Sequence, residues 1–124
     1  MLYAIFCYND ENVTSAWSKE EDEACMARLQ TVQDRWSAQG RLGPVARLLP
    51  TTAATTLRKT GAEPLIIDGP FAETKEQLLG FYVVDVENLE QALQFSRELA
   101  EANPIGGCYE VRPMSIYKPS DLSA

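Results

Sequence analysis

Two amphipathic helical segments, each bounded by cap residues, constrain the fold of this chain most strongly. In the first, Ser18 is followed by Glu21 in a capping-box pattern, and Gly40 is a helix stop signal. Apolar residues recur between these limits at helical spacing, namely Cys25, Leu29, Val32 and Trp36. The pattern predicts a helix from residue 18 to about residue 39 with one buried face.

A second helical segment lies near the end of the chain. Asn88 is a typical N-cap with Gln91 at the capping-box position, and Asn103-Pro104 interrupts the helical pattern. The residues predicted to share its buried face are Leu89, Ala92, Leu93, Ser96, Leu99 and Ala100.

Strand patterns lie before, between and after these helices. The N-terminal stretch lacks a basic start and a small-residue cleavage site, so it is interpreted as a strand rather than a signal peptide. A turn at 60–64 indicates a hairpin between two short strands. The predicted strands are residues 2–8, 55–59, 65–67, 80–86 and 108–114, with a further short apolar segment at 45–49.

The resulting order predicts an α+β fold of the ferredoxin-like βαββαβ type with an extra hairpin. Residues 1–117 are predicted to form a single domain, and residues 118–124 a loose polar tail. Helices would cover only one face of the sheet. Because the other face still carries apolar side chains, we expect a homodimer whose two sheets pack face to face.

Composition excludes several classes of function. The net charge of −7 disfavours nucleic-acid binding, and no apolar run is long enough to span a membrane. The chain has no histidine, which excludes Ser-His-Asp and Cys-His catalysis within it and any His-ligated metal site. The three cysteines lack metal-binding spacing, so no metal or cofactor is predicted, and reduced thiols favour a cytoplasmic location.

Residues 68–76, Asp-Gly-Pro-Phe-Ala-Glu-Thr-Lys-Glu, combine turn residues with charges and an aromatic side chain. With the following Gly80-Phe81-Tyr82 and with Glu110-Val111-Arg112-Pro113, this run resembles the YCII-related family in its DGPF-domain branch. The resemblance implies a dimeric α+β barrel. It also implies an accessory role near extracytoplasmic-function sigma factors, and it specifies no substrate.

Several residues of this run are candidates for a site. Asp68 is a candidate general base, with a turn-capping role as the alternative. Glu73 and Lys75 are candidate ligand-binding residues, with a solvent-exposed ion pair as the alternative. Phe71 is predicted to be a buried anchor, and Lys75 to pair with a nearby carboxylate.

The last strand adds two charged candidates. Glu110 and Arg112 alternate with Tyr109 and Val111, so the charged pair should lie on the face away from the helices. Arg112 could bind a ligand carboxylate with two parallel hydrogen bonds, or it could form an ion pair with Glu110 across a dimer. The phenolic groups of Tyr3, Tyr8 and Tyr82 are candidates to line the same pocket.

The chain departs from the shorter YciI-like members that it resembles. Those proteins have a candidate His–Asp pair, with the His in a His-Leu-Ala-Arg-Leu pattern and the Asp before a Pro. This sequence has Cys25-Met26-Ala27-Arg28-Leu29 and Asn103-Pro104 at these places. The resemblance therefore does not imply their acid–base or lyase-type chemistry here, and Cys25 is interpreted as a packing residue.

Cys7 and Cys108 should lie on neighbouring strands of a ferredoxin-like sheet. Two core thiols and a redox pair are both consistent with this placement.

Three functions are consistent with the sequence. The first is a homodimer that binds a small polar molecule between its sheets. The second is a small acid–base enzyme, lyase-like or isomerase-like, that uses a carboxylate such as Asp68 or Glu110. The third is a protein-interaction module that uses the acidic residues at the start of the first helix, for which a solvated helix start is the favoured interpretation: Glu20, Glu21, Asp22 and Glu23.

Overall fold

The computed structural model describes residues 1–59 and 61–122, and its helices and strands confirm the predicted α+β class. The elements in chain order are β1 (Leu2–Asn9), α1 (Glu11–Thr14), α2 (Lys19–Ala38), β2 (Leu42–Arg47), a 3-10 turn (Thr51–Ala53), β3 (Thr55–Arg58), β4 (Leu65–Asp68), β5 (Gln77–Asp85), α3 (Leu89–Ala102) and β6 (Cys108–Pro113).

Four strands form an antiparallel sheet in the order β2-β5-β1-β6. β1 and β6 are antiparallel neighbours, as predicted for the first and last strands. Within the described part of the chain this sheet stays open and does not close into a barrel. The other two strands, β3 and β4, pair with each other in a separate two-stranded sheet.

Helices α2 and α3 pack on one face of the four-stranded sheet and enclose the core. The predicted stripe of α2 is buried, and its capping box forms between Ser18 and Glu21. Trp36 and Tyr82 both contact the ring of Phe95 edge to face, with ring centroids 5.0 and 5.3 Å away. This aromatic group joins the two helices to the sheet.

The predicted buried face of α3 is partly wrong. Ala92, Ser96 and Leu99 are buried as expected, but Leu89 is 49% exposed and Ala100 is exposed. Phe95 and Ala102 are buried instead. Gln91 also departs from the capping-box prediction. Its side chain accepts the Glu87 backbone N–H rather than that of the N-cap, while Asn88 caps the helix as expected.

The segment between β2 and β5 forms a protruding hairpin, which we call the arm (residues 51–59 and 61–76). The predicted hairpin strands are confirmed as β3 and β4, but the 3-10 turn before them and helix α1 were not predicted. Of the predicted turn at 60–64, Thr60 lies outside the described residues, and Gly61 has a left-handed φ of 59°. The last two residues of the predicted tail also lie outside them.

Glu11 fastens the root of the arm. Its carboxylate accepts hydrogen bonds from both the backbone N–H, at 2.8 Å, and the hydroxyl of Thr51, where the arm begins. Its own backbone N–H donates to the side chain of Gln77 at 2.9 Å, where the arm returns to the sheet. One residue of α1 therefore contacts both ends of the arm.

Among the described residues, the structure contains no helix long and apolar enough to cross a membrane.

Candidate functional site

The four-stranded sheet has one face without helices, which we call the open face. Tyr3, Ile5 and Cys7 of β1 pack on the core, so alternation directs Ala4, Phe6 and Tyr8 to the open face. The centre of the open face is closely packed, with Ala4 only 9% and Val83 only 5% exposed. Strand register adds further members toward the margins, namely Ala46, Phe81, Cys108, Glu110 and Arg112.

Glu110 and Arg112 lie together at the β6 margin of the open face, as predicted. They alternate with Tyr109 and Val111, which pack against the core on the helix side. Glu110 lies opposite Phe6, and Arg112 opposite Ala4. Both charged residues are exposed, so the arrangement presents an anion and a cation beside an apolar surface.

Of the three candidate tyrosines, Tyr8 is the one that lies beside Glu110 and Arg112 on the open face. Its hydroxyl donates a hydrogen bond of 3.2 Å to the Glu110 carboxylate. Partial burial raises the pKa of Tyr8, and the negative charge and hydrogen bond of Glu110 raise it further. Tyr8 therefore stays protonated at neutral pH and acts as a hydrogen-bond donor. Arg112 has no hydrogen-bond or ion-pair partner within residues 1–59 and 61–122.

The prediction that Tyr82 lines the same pocket is wrong, because its side chain points to the helix side. Tyr82 is 7% exposed, and its hydroxyl accepts a 3.4 Å hydrogen bond from Gln33 of α2. Burial raises its pKa to about 12. Tyr3 is also in the core, at 5% exposed. Tyr3 and Tyr82 therefore face the helices, whereas strand alternation places Tyr8 on the open face.

Asp68 lies on the arm, at the end of β4, and is exposed. The following Gly69 adopts a φ of 101°, a conformation that favours glycine, and its carbonyl accepts a hydrogen bond from Thr56. The Asp68 carboxylate accepts no hydrogen bond from the residues that the structure describes. The alternative role of Asp68 as a turn cap is therefore not supported. The predicted anchor Phe71 is 72% exposed, which corrects that expectation.

Glu73 and Lys75 lie on the exposed return of the arm, outside any helix or strand. In the described part of the chain, neither forms an ion pair, so the predicted pairing of Lys75 with a carboxylate is not seen. The structure thus divides the predicted site residues into three places. Glu110 and Arg112 are on the open face, Tyr82 is in the core, and Asp68, Glu73 and Lys75 are on the arm.

Cys25, within α2, and Asn103, the C-cap of α3, belong to two helices that a single arginine ties together. Arg28 of α2 donates a 2.7 Å hydrogen bond from Nε to the carbonyl of Ala102, the last residue of α3. Cys25 is 2% exposed, and desolvation raises its thiol pKa, as expected for a packing residue. The side-chain oxygen of Asn103 is buried and accepts no hydrogen bond from any described group, a feature that the sequence did not predict.

Cys7 and Cys108 do not form a pair, because they lie on opposite faces of the sheet. Cys7 is opposite Tyr109, and Cys108 is opposite Tyr8, so their positions differ by one residue of register. Cys7 packs against the core, whereas Cys108 is exposed on the open face. The prediction of two core thiols therefore holds for Cys7 only. Both remain free thiols.

Two shallow clefts lie elsewhere, one between the N-terminus and the connection from β5 to α3, and the other between α2 and α3. One of about 470 Å³ and one of about 370 Å³ share Arg41 and Gln91 in their walls. Arg41 stacks 4.1 Å from the centre of the Trp36 ring and donates to Gln39 and Gln91. Several lining residues thus hydrogen-bond to one another. Neither cleft contains a predicted site residue. The guanidinium of Arg112, which has no partner among the described residues, makes the open face the stronger candidate.

Comparison with known proteins agrees with the resemblance seen in the sequence. The YCII-related domain matches residues 1–117. The chain belongs to the YCII-related family. A YCII-related relative, an uncharacterized protein of Rhizobium meliloti (strain 1021), is 62% identical over 122 residues, which cover 98% of each chain. All the candidate site residues fall within the YCII-related match.

No group of three or more His, Cys, Asp or Glu residues in the described part of this YCII-related chain is arranged to hold a metal ion. The groups available for a ligand on the open face are the guanidinium of Arg112, the carboxylate of Glu110 and the hydroxyl of Tyr8. This set can bind a carboxylate through Arg112 and a hydrogen-bond donor through Glu110.

Proposed function

We propose that this YCII-related protein is a homodimer that binds a small polar molecule at the margin of the space between its two sheets. In this arrangement the open faces pack together as a dimeric α+β barrel, and each sheet follows the ferredoxin-like plan. The sheet order β2-β5-β1-β6, with α2 and α3 on one face, supports this proposal. The DGPF-domain branch of the family, a cytoplasmic location and an accessory role near sigma factors belong to the same proposal.

The observation that carries the proposal is Arg112, which is exposed at the edge of an apolar sheet face and has no partner in the part of the chain that the structure describes. Phe6 and Phe81 are half-buried on this face, and a second identical sheet would cover the apolar area that they still expose to water. At the margin of that interface, one side of Arg112 would be shielded from solvent and the other side would stay exposed to it. A guanidinium in such a place can bind a carboxylate with two parallel hydrogen bonds.

Native mass spectrometry of the freshly purified protein tests both parts of the proposal. We expect a dimer, and the mass of any adduct lost on denaturation would indicate the ligand. A thermal-shift screen of small carboxylic acids should then find stabilisation that Arg112→Gln removes and that Arg41→Gln retains. A monomeric protein would contradict the dimer. A dimer whose stabilisation by acids survives Arg112→Gln would contradict the ligand site.

A second candidate function is acid–base chemistry at Tyr8 and Glu110, favoured by their 3.2 Å hydrogen bond. The protonated phenol would donate and the carboxylate would accept a proton from a small polar substrate. If so, Glu110→Gln should abolish turnover without loss of the dimer, whereas Asp68→Asn should retain turnover. Turnover that is lost in Asp68→Asn and kept in Glu110→Gln would instead identify Asp68 as the base.

The acidic helix start gives less support to an interaction module. Asp22 is bound by Arg47 in a 2.8 Å ion pair, Glu21 closes the capping box, and Lys19 contacts Glu23 at 3.7 Å. These contacts give most of the acidic residues structural roles within the chain.

A further inference from the structure

We infer that the arm of each subunit completes the candidate site of the other, by pairing Asp68 with Arg112 of the partner subunit. This inference rests on the homodimer proposed above and assigns the arm as its second contact. It also accounts for the separation of the predicted site residues within one chain. Two halves of a site that do not meet in one chain can meet between two copies.

The first observation is that the arm exposes apolar side chains. Leu57 and Ile66 lie directly opposite each other in the hairpin and are 57% and 68% exposed. Phe71, just beyond it, is 72% exposed. A two-stranded hairpin without cover is marginally stable in water. The arm therefore needs a surface to pack against.

The second observation is that the arm leaves the sheet far from Arg112 of its own chain. The arm returns to the sheet at Gln77, which pairs with Asn9, whereas Arg112 pairs with Ala4. These two positions on β1 are about 17 Å apart at the usual rise of a strand. The bonds of Glu11 to Thr51 and Gln77 hold the root of the arm at that end. A copy related by a two-fold axis that runs across the strands would bring the opposite end of its sheet to the arm.

The third observation is that the two surfaces are complementary. Asp68 lies on the same side of the arm as Ile66 and Leu57, so this side carries apolar groups and one carboxylate. The β6 margin of the open face carries apolar groups, such as Phe6, and the guanidinium of Arg112. Neither charge has a partner within residues 1–59 and 61–122. A second copy supplies both surfaces, and the two-fold axis forms the contact twice.

The pairing would also prepare the site for its ligand. A guanidinium has five N–H donors on two edges. Asp68 of the partner subunit can occupy one edge and fix the plane of Arg112. The remaining donors stay available for the carboxylate of a small ligand. Asp68 is then a positioning residue rather than a base.

A charge exchange between two separately purified variants tests the pairing. Asp68→Arg alone and Arg112→Asp alone each place like charges together at both contacts of a homodimer. We expect each variant to dissociate with a dimer Kd raised by about tenfold or more. In the mixed dimer, one contact is native and the other is an exchanged ion pair. Mixing should therefore restore dimers, with a Kd within about threefold of the original.

Native mass spectrometry separates the mixed dimer from the two homodimers by mass, and sedimentation velocity gives each Kd. Glu73→Arg makes the same charge change elsewhere on the arm and should leave the dimer intact, as should Lys118→Asp for the second variant. Circular dichroism establishes that each variant is folded. If a variant does not fold, Asp68→Asn and Arg112→Gln replace it, and each should raise the Kd by a smaller factor.

The outcomes distinguish this inference from the proposed dimer. Dissociation of both variants with recovery on mixing supports the pairing. If the unmodified protein is a dimer and both variants dimerise equally well, the pairing is overturned while the dimer stands. If both variants dissociate but mixing does not restore dimers, the pairing is likewise overturned. A monomeric unmodified protein overturns the proposed dimer itself.

Discussion

Cys7 and Cys108 illustrate, at the scale of single residues, how one step of strand register separates two environments. Cys7 lies under the helices, where burial raises its pKa from 9.0 to about 12. The folded chain therefore keeps this proton over a pH range in which the unfolded thiol loses it. Because the native state then binds more protons than the unfolded state, the free energy of unfolding should fall as the pH rises from about 9 to about 12.

Replacing Cys7 with alanine removes this contribution to the pH dependence. Between about pH 9.5 and about pH 11, the unfolding free energy of Cys7→Ala should fall less steeply than that of the unmodified protein, by up to about 1.4 kcal/mol per pH unit. Urea unfolding under reducing conditions measures both slopes. The exposed Cys108→Ala variant is the control and should change the slope less. Equal slopes for Cys7→Ala and the unmodified protein would contradict the expectation.

Gly107 is a second residue whose environment leads to a testable prediction. It precedes β6 with a φ of 74°, and a Cβ atom there would collide with the backbone oxygen of Tyr8. Gly40 has a similar φ of 68°, but a Cβ atom there would meet nothing within 4 Å. Both alanine variants incur the cost of the left-handed conformation, about 1–2 kcal/mol. Gly107→Ala should lose about 1–3 kcal/mol more in urea unfolding, because only it has the collision. Equal losses of unfolding free energy in the two variants would show that the loop around Gly107 relaxes to avoid the collision.

At the scale of elements, the sequence predicts best where the local signals and the packing agree. In α2 the capping box and the stripe from Cys25 to Trp36 both appear in the structure. In α3 the spacing alone admits two overlapping faces. The bulk of Phe95, which fills the space between Trp36 and Tyr82, selects the face that includes it. That choice is a tertiary effect and is not visible in the spacing.

The candidate site shows the same division. Alternation along β6 correctly placed Glu110 and Arg112 on the face away from the helices. Tyr82 was assigned to the wrong face because the run from Leu78 to Val84 in β5 has no polar alternation to orient it. Phe71 was expected to be a buried anchor, but it lies on the arm, which leaves it exposed in the described part of the chain. The sequence could not show where the arm would point.

The root of the arm provides a prediction for this element. Glu11→Ala removes both acceptors of the Thr51 hydrogen bonds, so the arm should open more often while the core stays closed. Hydrogen exchange should speed up in residues 51–59 and 61–76 by about tenfold, and exchange in α3 and β1 should be unchanged. Glu20→Ala, which removes an exposed carboxylate of α2, is the control. Uniformly faster exchange throughout the chain would mean that Glu11 stabilises the whole fold rather than the arm.

At the scale of the whole molecule, the proposed dimer makes stability depend on concentration. When unfolding is coupled to dissociation, the free energy of unfolding rises with the protein concentration. The increase is RT ln of the ratio of the two concentrations, or about 2.7 kcal/mol for a hundredfold increase. The midpoint of thermal unfolding should therefore rise with concentration. Phe6→Asp introduces a charge on the open face and should abolish this dependence, whereas Glu87→Gln, in the connection between β5 and α3, should preserve it. A concentration-independent midpoint for the unmodified protein would contradict the dimer.

The arm leaves β2 and re-enters at β5, two strands that are already hydrogen-bonded neighbours in the sheet. Arg47 at the end of β2 lies opposite Gly80 of β5, so a shorter connection from Arg47 to Gln77 could replace the arm without removing a core residue. The arm is thus a module inserted into a complete four-stranded unit. Its length and side chains can change during evolution independently of the core. New partners or ligand preferences can therefore arise by exchanging this one loop, with the folding information of the remaining chain left intact.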